Sequence, residues 1–305
     1  MTHAKAGGLV THLAMLLNVL LVSTSFPVGA AITHALEPAV LNCVRFALAA
    51  AVFAVLLTLR GEWRRPRVRD GLRYLLLAGA LVGFFVAMFE ALRWTTAVNT
   101  AALFTLIPLF SAAIAWPLAG QRTPPRQLAF MLLAGFGALW VVFEGSIDNA
   151  LALRFGRGDL IFLAGCVSLA AFAPLTRRLD VGENLVSQTF WTLLVGTAML
   201  ALIAGNDLAQ TQWQAVPAVA WSGIAWLAVF TTAATFYLLK YASLRLPAAK
   251  VMSYNYLTPG FVLLLEALRT GATPAPMVLI GAGIAVLATL SLQLSPSART
   301  KMASG

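Results

Sequence analysis

Apolar residues in this chain follow one another in long runs, and charged residues are almost confined to the short segments between the runs. A run of about twenty apolar residues is long enough to cross the hydrocarbon core of a bilayer as an α-helix. Alternation at a period of two, which is typical of a membrane-spanning β-strand, is absent. The pattern predicts ten membrane helices, at 10–31, 38–59, 74–93, 97–119, 127–144, 159–177, 185–204, 219–239, 249–267 and 276–294.

Composition argues against a water-soluble protein. Of 305 residues, 60% are hydrophobic and 10% are charged, whereas a soluble domain carries about 25% charged residues. A net charge of +10 can indicate nucleic-acid binding, but arginine here concentrates in short loops, as membrane insertion requires. We therefore expect a lipid bilayer, and no nucleic acid, as a partner. Cys43 and Cys166 lack a C-x-x-C or histidine neighbour, so we expect no metal, disulfide framework or cofactor.

The distribution of basic residues predicts the orientation in the membrane. Sixteen of the 21 lysines and arginines fall in the two termini and in the loops on the same side as the termini. Four fall on the opposite side, and Arg45 lies inside a predicted helix, away from its ends. Because positively charged loops stay in the cytoplasm, both termini are predicted to be cytoplasmic.

Prolines recur at matching places in the two halves of the chain. The segment 97–110 aligns with 248–261, so that Pro108 faces Pro259. Pro27 in the first predicted helix likewise corresponds to Pro174 in the sixth. A proline inside a helix removes a hydrogen bond and frees a carbonyl group. We interpret the four prolines as hinge or gating positions; the alternative is that they kink the helices only for packing.

The matched halves predict an inverted repeat. Each half contains five helices, and an odd number makes the second half enter the membrane in the opposite direction. The predicted fold class is therefore all-α integral membrane, with two inverted five-helix repeats around a central cavity. We assign the first repeat to residues 1–147, the second to 148–295 and a cytoplasmic tail to 296–305.

Polar and aromatic residues in these helices are candidates to bind a substrate. Most serines and threonines in membrane helices bond their own backbone, whereas a primary amide such as that of Asn255 lacks a simple local partner. Tyr254 and Tyr256 project about 200° apart on a helix, so only one of them can face a given cavity. The predicted substrate-binding residues are Asn18, Ser23, Phe26, Asn99, Phe104, Phe172, Thr235, Tyr237, Tyr254 and Asn255.

Few charged residues fall inside the predicted helices. Glu90 and Glu266 are candidates for proton coupling, although Glu90 is also placed to pair with Arg93 at i,i+3. Arg45, Lys240 and Lys250 are expected to extend their side chains towards the membrane surface; the alternative for Lys250, which opens the ninth predicted helix, is contact with a carboxylate. The scarcity of buried charge favours a neutral or zwitterionic cargo with a large apolar part.

Small residues indicate where helices approach each other closely. The segments AGFGA (134–138) and GAGIA (281–285) carry glycines at spacings that allow close helix contact. We interpret them as packing surfaces and leave the oligomeric state open.

Two segments carry a family resemblance. EPAVLNCVRFALAA at the start of the second helix, with Pro38 preceding Arg45–Phe46, and the segment 99–142 through the fourth and fifth helices resemble the EamA family of the drug/metabolite transporter superfamily. The family has a glycine–glutamate pair after its proline-centred fourth helix; here the corresponding pairs read Gly120–Gln121 and Thr270–Gly271. The resemblance implies a bacterial inner-membrane exporter of amino acids or related metabolites, closest to exporters of aromatic amino acids.

These observations favour an alternating-access carrier for a small molecule. Transport by facilitated diffusion and by proton antiport both remain open, as does export of drugs or other neutral metabolites. An intramembrane enzyme would need a catalytic constellation such as H-E-x-x-H, which the sequence lacks. An ion channel would show a filter loop or rings of charge, and a structural subunit would not need matched prolines.

Overall fold

The computed structural model describes residues 2–32, 35–63, 66–91, 93–95, 97–152, 155–271 and 273–295, without the side chains of 2–7, 26, 30, 68, 69, 97–99 and 266. Within these residues the chain forms helices joined by short turns. The helices are α1 Thr2–Ile32, α2 Pro38–Arg60, α3 Val68–Ala91, α4 Ala97–Phe104, α5 Ile107–Ala119, α6 Pro125–Val142, α7 Ile147–Leu151, α8 Arg157–Arg178, α9 Leu185–Gln210, α10 Ala218–Ala228, α11 Thr235–Ser243, α12 Ala248–Ser253, α13 Thr258–Thr270 and α14 Pro276–Leu294. A π-helix, Val229–Ala234, joins α10 to α11, and 3-10 turns cover Trp213–Ala215 and Tyr254–Leu257.

Nine helical segments of the described residues are long and apolar enough to cross a bilayer. They correspond to nine of the ten predicted spans. The tenth, 249–267, is not one continuous helix, because the 3-10 turn at Tyr254–Leu257 separates α12 from α13. The predicted helix 97–119 is also divided, into α4 and α5. The described residues therefore do not confirm ten separate spanning helices, and the two divided segments are the ones that carry the matched prolines Pro108 and Pro259.

Both divisions lie directly before a matched proline. Pro108 is the second residue of α5, and Pro259 is the second residue of α13. Proline is tolerated in the first turn of a helix, because the N–H group that it lacks would have no partner there. Pro27 and Pro174 differ, since α1 and α8 continue through them as α-helix.

The two divided spans also end alike. α5 is closed by Gly120 and α13 by Gly271, with φ angles of 63° and 71°. Glycine takes this left-handed conformation without steric cost and so ends a helix. The next helices, α6 and α14, both begin at a proline, Pro125 and Pro276.

The main packing contacts join one half of the chain to the other. α2 packs on α9, α3 on α8, and α6 on α14. α8 also packs on α4 and α5, while α1 packs in the same manner on α10, α11 and α13. The largest buried core lies between these helices, and leucines cover the outer faces, where lipid replaces water.

The glycine-rich segments form the contact between α6 and α14. A Cβ atom added to Gly137 would lie 2.7 Å from the carbonyl oxygen of Gly281 and 2.6 Å from the amide nitrogen of Ala285. The two backbones therefore touch, which confirms the packing predicted for both segments.

Candidate functional site

Six phenylalanines meet in the interior where helices of both halves converge. Phe236 of α11 lies at their centre, with its ring centroid 5.6 Å from that of Phe46, 6.0 Å from Phe85 and 6.5 Å from Phe172. Phe84 and Phe104 extend the group through a contact of 6.0 Å. The aromatic cluster, Phe46, Phe84, Phe85, Phe104, Phe172 and Phe236, thus contains the predicted site residues Phe104 and Phe172.

Arg45 lies against this cluster with only 3% of its surface exposed. Its guanidinium group is 4.6 Å from the ring centroid of Phe85. Nη2 donates to the carbonyl oxygen of Thr231 (3.2 Å) and to its hydroxyl (3.0 Å), and Nε donates to the hydroxyl of Thr232. The expectation that Arg45 reaches the membrane surface is therefore wrong, because the threonines of the π-helix provide acceptors inside the protein.

Three side chains of α1, those of His12, Asn18 and Ser23, form hydrogen bonds with the second half of the chain. The Asn18 amide donates to the carbonyl oxygen of Thr235 (2.8 Å). The Ser23 hydroxyl reaches the carbonyl oxygen of Thr258 at 3.5 Å, besides bonding its own helix. The His12 ring nitrogen Nδ1 lies 2.5 Å from the hydroxyl of Tyr254. Asn18, Ser23, Thr235 and Tyr254 are thus brought to one side of α1, next to the interrupted span.

Other predicted site residues lie elsewhere. Tyr237 is half-buried and stacks on Phe53 of α2, away from α1. The Asn255 amide is buried and its one hydrogen bond goes to the sulfur of Met252 in its own turn (3.9 Å). The side chains of Phe26, Asn99 and Glu266 lie outside the described residues.

Tyr254 and Tyr256 face opposite sides of the 3-10 turn, as their spacing predicts. Tyr254 faces α1, whereas Tyr256 packs in a small second core beside α6 and α14. The hydroxyl of Tyr256 is buried without a hydrogen-bond partner.

This difference predicts opposite results for the same substitution at the two tyrosines. Tyr254→Phe removes the hydrogen bond to His12 and should lower the free energy of unfolding by about 0.5–1.5 kcal/mol. Tyr256→Phe removes an unpaired hydroxyl and should leave stability unchanged or raise it. Equilibrium unfolding in mixed micelles tests both variants, and equal losses would refute the assignment of the His12 bond.

Glu90, a candidate for proton coupling, contacts two neighbouring residues, and the four matched prolines differ in burial. The Glu90 carboxylate accepts from the indole nitrogen of Trp94 (2.9 Å) and lies 3.8 Å from Arg93, near the end of α3. Its proton-coupling role stays a prediction. Pro108 and Pro174 are buried, Pro259 is half-buried and Pro27 is exposed.

Two lysines that were expected at the membrane surface are buried. Lys240 is completely buried, and its Nζ donates to the carbonyl oxygen of Gln188 (2.9 Å) and the hydroxyl of Thr192 (2.7 Å). Lys250 donates to the carbonyl oxygens of Gln293 (2.7 Å) and Ser295 (2.6 Å), which closes the end of α14. Together with Arg45, the two lysines make the interior richer in cationic side chains than the sequence indicated. The argument for a neutral cargo assumed that buried charge is scarce, and that assumption is wrong.

A charged network lies near Lys240. Arg73 donates to Glu183 at 2.6 Å, and Glu183 also accepts from the hydroxyls of Tyr74 (2.7 Å) and Ser187 (3.1 Å). Sequence reasoning missed this network because its members are about 110 positions apart in the chain. For Lys240 a signal existed: it lies between apolar residues, in YLLKYA.

Comparison with known proteins settles the family. The sequence profile described as the EamA-like transporter family matches residues 9–143 and 156–293. The chain belongs to this family. The chain is also similar to the uncharacterized transporter YyaM of Bacillus subtilis (strain 168), with 26% identity over 249 residues, which are 81% of each chain. The EamA resemblance is thereby confirmed, and both findings point to a membrane transporter rather than an enzyme.

A solved crystal structure shares the EamA chain's fold. The two are 20% identical and superpose with a TM-score of 0.77, over 93% of this chain and 96% of the other. At this identity the likeness shows the fold alone.

Proposed function

We propose that the protein is an alternating-access carrier that exports amino acids with large apolar or aromatic side chains, or related small metabolites. It would lie in the bacterial inner membrane with both termini in the cytoplasm, as the distribution of basic residues predicts. The observation that carries the proposal is the aromatic cluster, which lies where helices of both halves meet.

The packing supports two inverted repeats that move against each other. α8 contacts α4 and α5, and α1 contacts α13. The first spanning helix of each half therefore packs on the interrupted span of the other half. Interrupted helices at a repeat interface are typical of substrate sites in secondary transporters. The divisions before Pro108 and Pro259 are accordingly the proposed hinges.

The buried side chains of the interior support a cargo with a large apolar or aromatic group. Binding sites for small molecules are largely apolar and aromatic, with a few polar groups that orient the ligand. The aromatic cluster supplies the apolar wall, and Arg45, Asn18 and Thr235 supply polar groups beside it. Drugs or other neutral metabolites with a large ring are the alternative cargo.

Coupling to protons needs a carboxylate that changes its protonation during transport. Glu90 is engaged by Trp94 and Arg93 at a helix end, which favours a structural role for it and a facilitator driven by the substrate gradient. Proton antiport through Glu90 or Glu266 is the alternative.

The experiment is efflux from proteoliposomes loaded with an equimolar mixture of amino acids, followed by mass spectrometry with and without a pH gradient. Selective loss of Phe, Tyr, Trp and Met is expected, at a rate that does not depend on the gradient. Acceleration by the gradient would favour antiport. Retention of every amino acid by folded protein would refute the amino-acid cargo.

A pair of variants tests the site within the same assay. Phe236→Leu removes the central ring of the aromatic cluster and should reduce efflux about tenfold or more. Phe136→Leu changes a ring that is 54% exposed on the outer face of α6 and should leave efflux unchanged. Equal rates for both variants would exclude the cluster as the substrate site.

A further inference from the structure

The first two turns of α9 adjoin a group of buried donors that lack acceptors. Gln188 is 1% exposed and its amide nitrogen has no hydrogen-bond partner. The indole nitrogen of Trp191 and two nitrogens of Arg73, Nε and Nη1, are likewise buried and unpaired. We call these residues, together with Lys240, the α9 donor cluster: Arg73, Gln188, Trp191 and Lys240.

The contacts of these residues place them next to one another. Lys240 of α11 bonds the backbone of Gln188 and the side chain of Thr192. The ring of Trp191 stacks on Tyr74, the neighbour of Arg73 in α3, at 6.4 Å. The cluster thus lies where α3, α9 and α11 meet, and each of its unpaired atoms is a donor.

Only the Arg73 member of this cluster has a carboxylate partner among the described residues: Arg73 pairs with Glu183 at 2.6 Å and lies 3.6 Å from Asp70. Lys240 and Arg45 form no ion pair with any described carboxylate. Glu183 is the acid nearest to the cluster, and its oxygens already accept from Arg73, Tyr74 and Ser187. Buried polar groups are normally satisfied and buried charges are normally paired. In the part of the chain that the structure describes, Lys240 thus has no carboxylate partner, and its two hydrogen-bond acceptors, the Gln188 carbonyl and the Thr192 hydroxyl, are neutral.

Arg45 bonds Thr231, which lies in the same span as Lys240. Its partner Thr231 precedes Lys240 by nine positions, which is about two and a half helical turns along the same span. An ionisable residue within a membrane helix that faces the protein interior commonly marks the path of a substrate. Arg73, Lys240 and Arg45 would follow one another along such a path.

We propose that the cargo carries a carboxylate, which Lys240 and the α9 donor cluster bind, and that an ammonium group on the cargo is not required. This inference rests on the proposed function, because it deepens the choice of substrate. It distinguishes organic acids and amino acids from amines, because Glu183, the acid beside the cluster, already accepts from Arg73, Tyr74 and Ser187.

The test uses three compounds with the same benzyl group: phenylalanine, phenyllactate and phenylalaninol. The first has a carboxylate and an ammonium group, the second only the carboxylate and the third only the ammonium group. Efflux from proteoliposomes is measured after subtraction of leakage from protein-free vesicles. The thermal midpoint of the purified full-length protein is measured with each compound. Phenylalanine and phenyllactate should be transported and should raise the midpoint, while phenylalaninol should do neither.

Lys240→Met separates a role in binding from a role in stability. If Lys240 binds the carboxylate, this variant should lose tenfold or more of the phenyllactate efflux, and its midpoint without ligand should equal or exceed that of the wild type. Lys240→Arg should retain part of the efflux. Arg178→Gln, which removes an exposed charge at the end of α8, is the control for a general effect of charge and should behave as the wild type.

The outcomes that overturn the proposal are distinct from those that overturn the proposed function. Equal transport of phenyllactate and phenylalaninol, or unchanged phenyllactate efflux in Lys240→Met, would refute carboxylate recognition and leave the carrier intact. Loss of efflux only together with a lowered midpoint would assign Lys240 a structural role and also refute it. If none of the three compounds is transported, the proposed aromatic cargo fails. Carboxylate binding is then supported if phenyllactate raises the midpoint of the wild type but not that of Lys240→Met. Any other result refutes it.

Discussion

Glu183→Ala is expected to lower the free energy of unfolding by about 3 kcal/mol, which is the low end of the range for breaking a buried ion pair. The side chain of Arg73 is 7% exposed and that of Glu183 is 14% exposed. Without Glu183 the buried guanidinium would keep the Tyr74 hydroxyl, at 3.0 Å, and Asp70, at 3.6 Å. The hydroxyls of Tyr74 and Ser187 would lose their acceptor as well. Equilibrium unfolding in mixed micelles measures the loss.

The exposed pair of Arg93 and Glu37 provides the matched control. Its side chains are 49% and 59% exposed, and solvent screens such pairs so that they contribute about 0–1 kcal/mol. Glu37→Ala should therefore be nearly neutral. A loss for Glu183→Ala no larger than that for Glu37→Ala would mean that Arg73 finds water or another acceptor.

Gly137→Ala should be the second strongly destabilising substitution, with a loss of about 1–3 kcal/mol or more. The new methyl group would lie 2.6 Å from the Ala285 amide nitrogen and 2.7 Å from the Gly281 carbonyl oxygen. Both are backbone atoms, so no side chain can move aside and α6 must separate from α14. Thermal unfolding and gel filtration of the purified variant measure the effect.

Gly283→Ala is the control on the facing helix. No atom lies within 4 Å of the position its Cβ would take, and alanine has the higher helix propensity. This variant should be as stable as the wild type or slightly more stable. Similar losses for both glycine variants would show that helix flexibility, and not the close contact, matters at these positions.

Local sequence patterns predicted much of the fold. Runs of apolar residues gave nine of the spans, because span length depends only on bilayer thickness and helix rise. The two segments that the matched prolines Pro108 and Pro259 marked are the two in which the chain leaves α-helix directly before the proline. Gly137 and Gly281 identified a backbone contact because only glycine allows such an approach.

The candidate site was predicted less well, because its partners are distant in sequence. Lys240 bonds α9 across 52 positions, and Arg45 bonds the π-helix across 187. No local sequence pattern reveals such distant pairings. The prediction therefore relied on the general tendency of long cationic side chains to reach the membrane surface, which was wrong for Lys240 and Arg45. Phe104 and Phe172 were predicted because both lie in predicted helices that carry a matched proline.

The π-helix at Val229–Ala234 changes how the residues after it are oriented. A π turn holds one residue more than an α turn, and one residue corresponds to about 100° of rotation around a helix axis. A helical wheel drawn through 218–243 as one continuous α-helix therefore assigns Lys240 the wrong azimuth relative to α10. Deleting one alanine from this turn would let it close as a regular α turn, with the ammonium group still directed at α9. A one-residue length difference at this point between homologous chains would accordingly be taken up within this single turn, and the side chains before and after it would keep their directions.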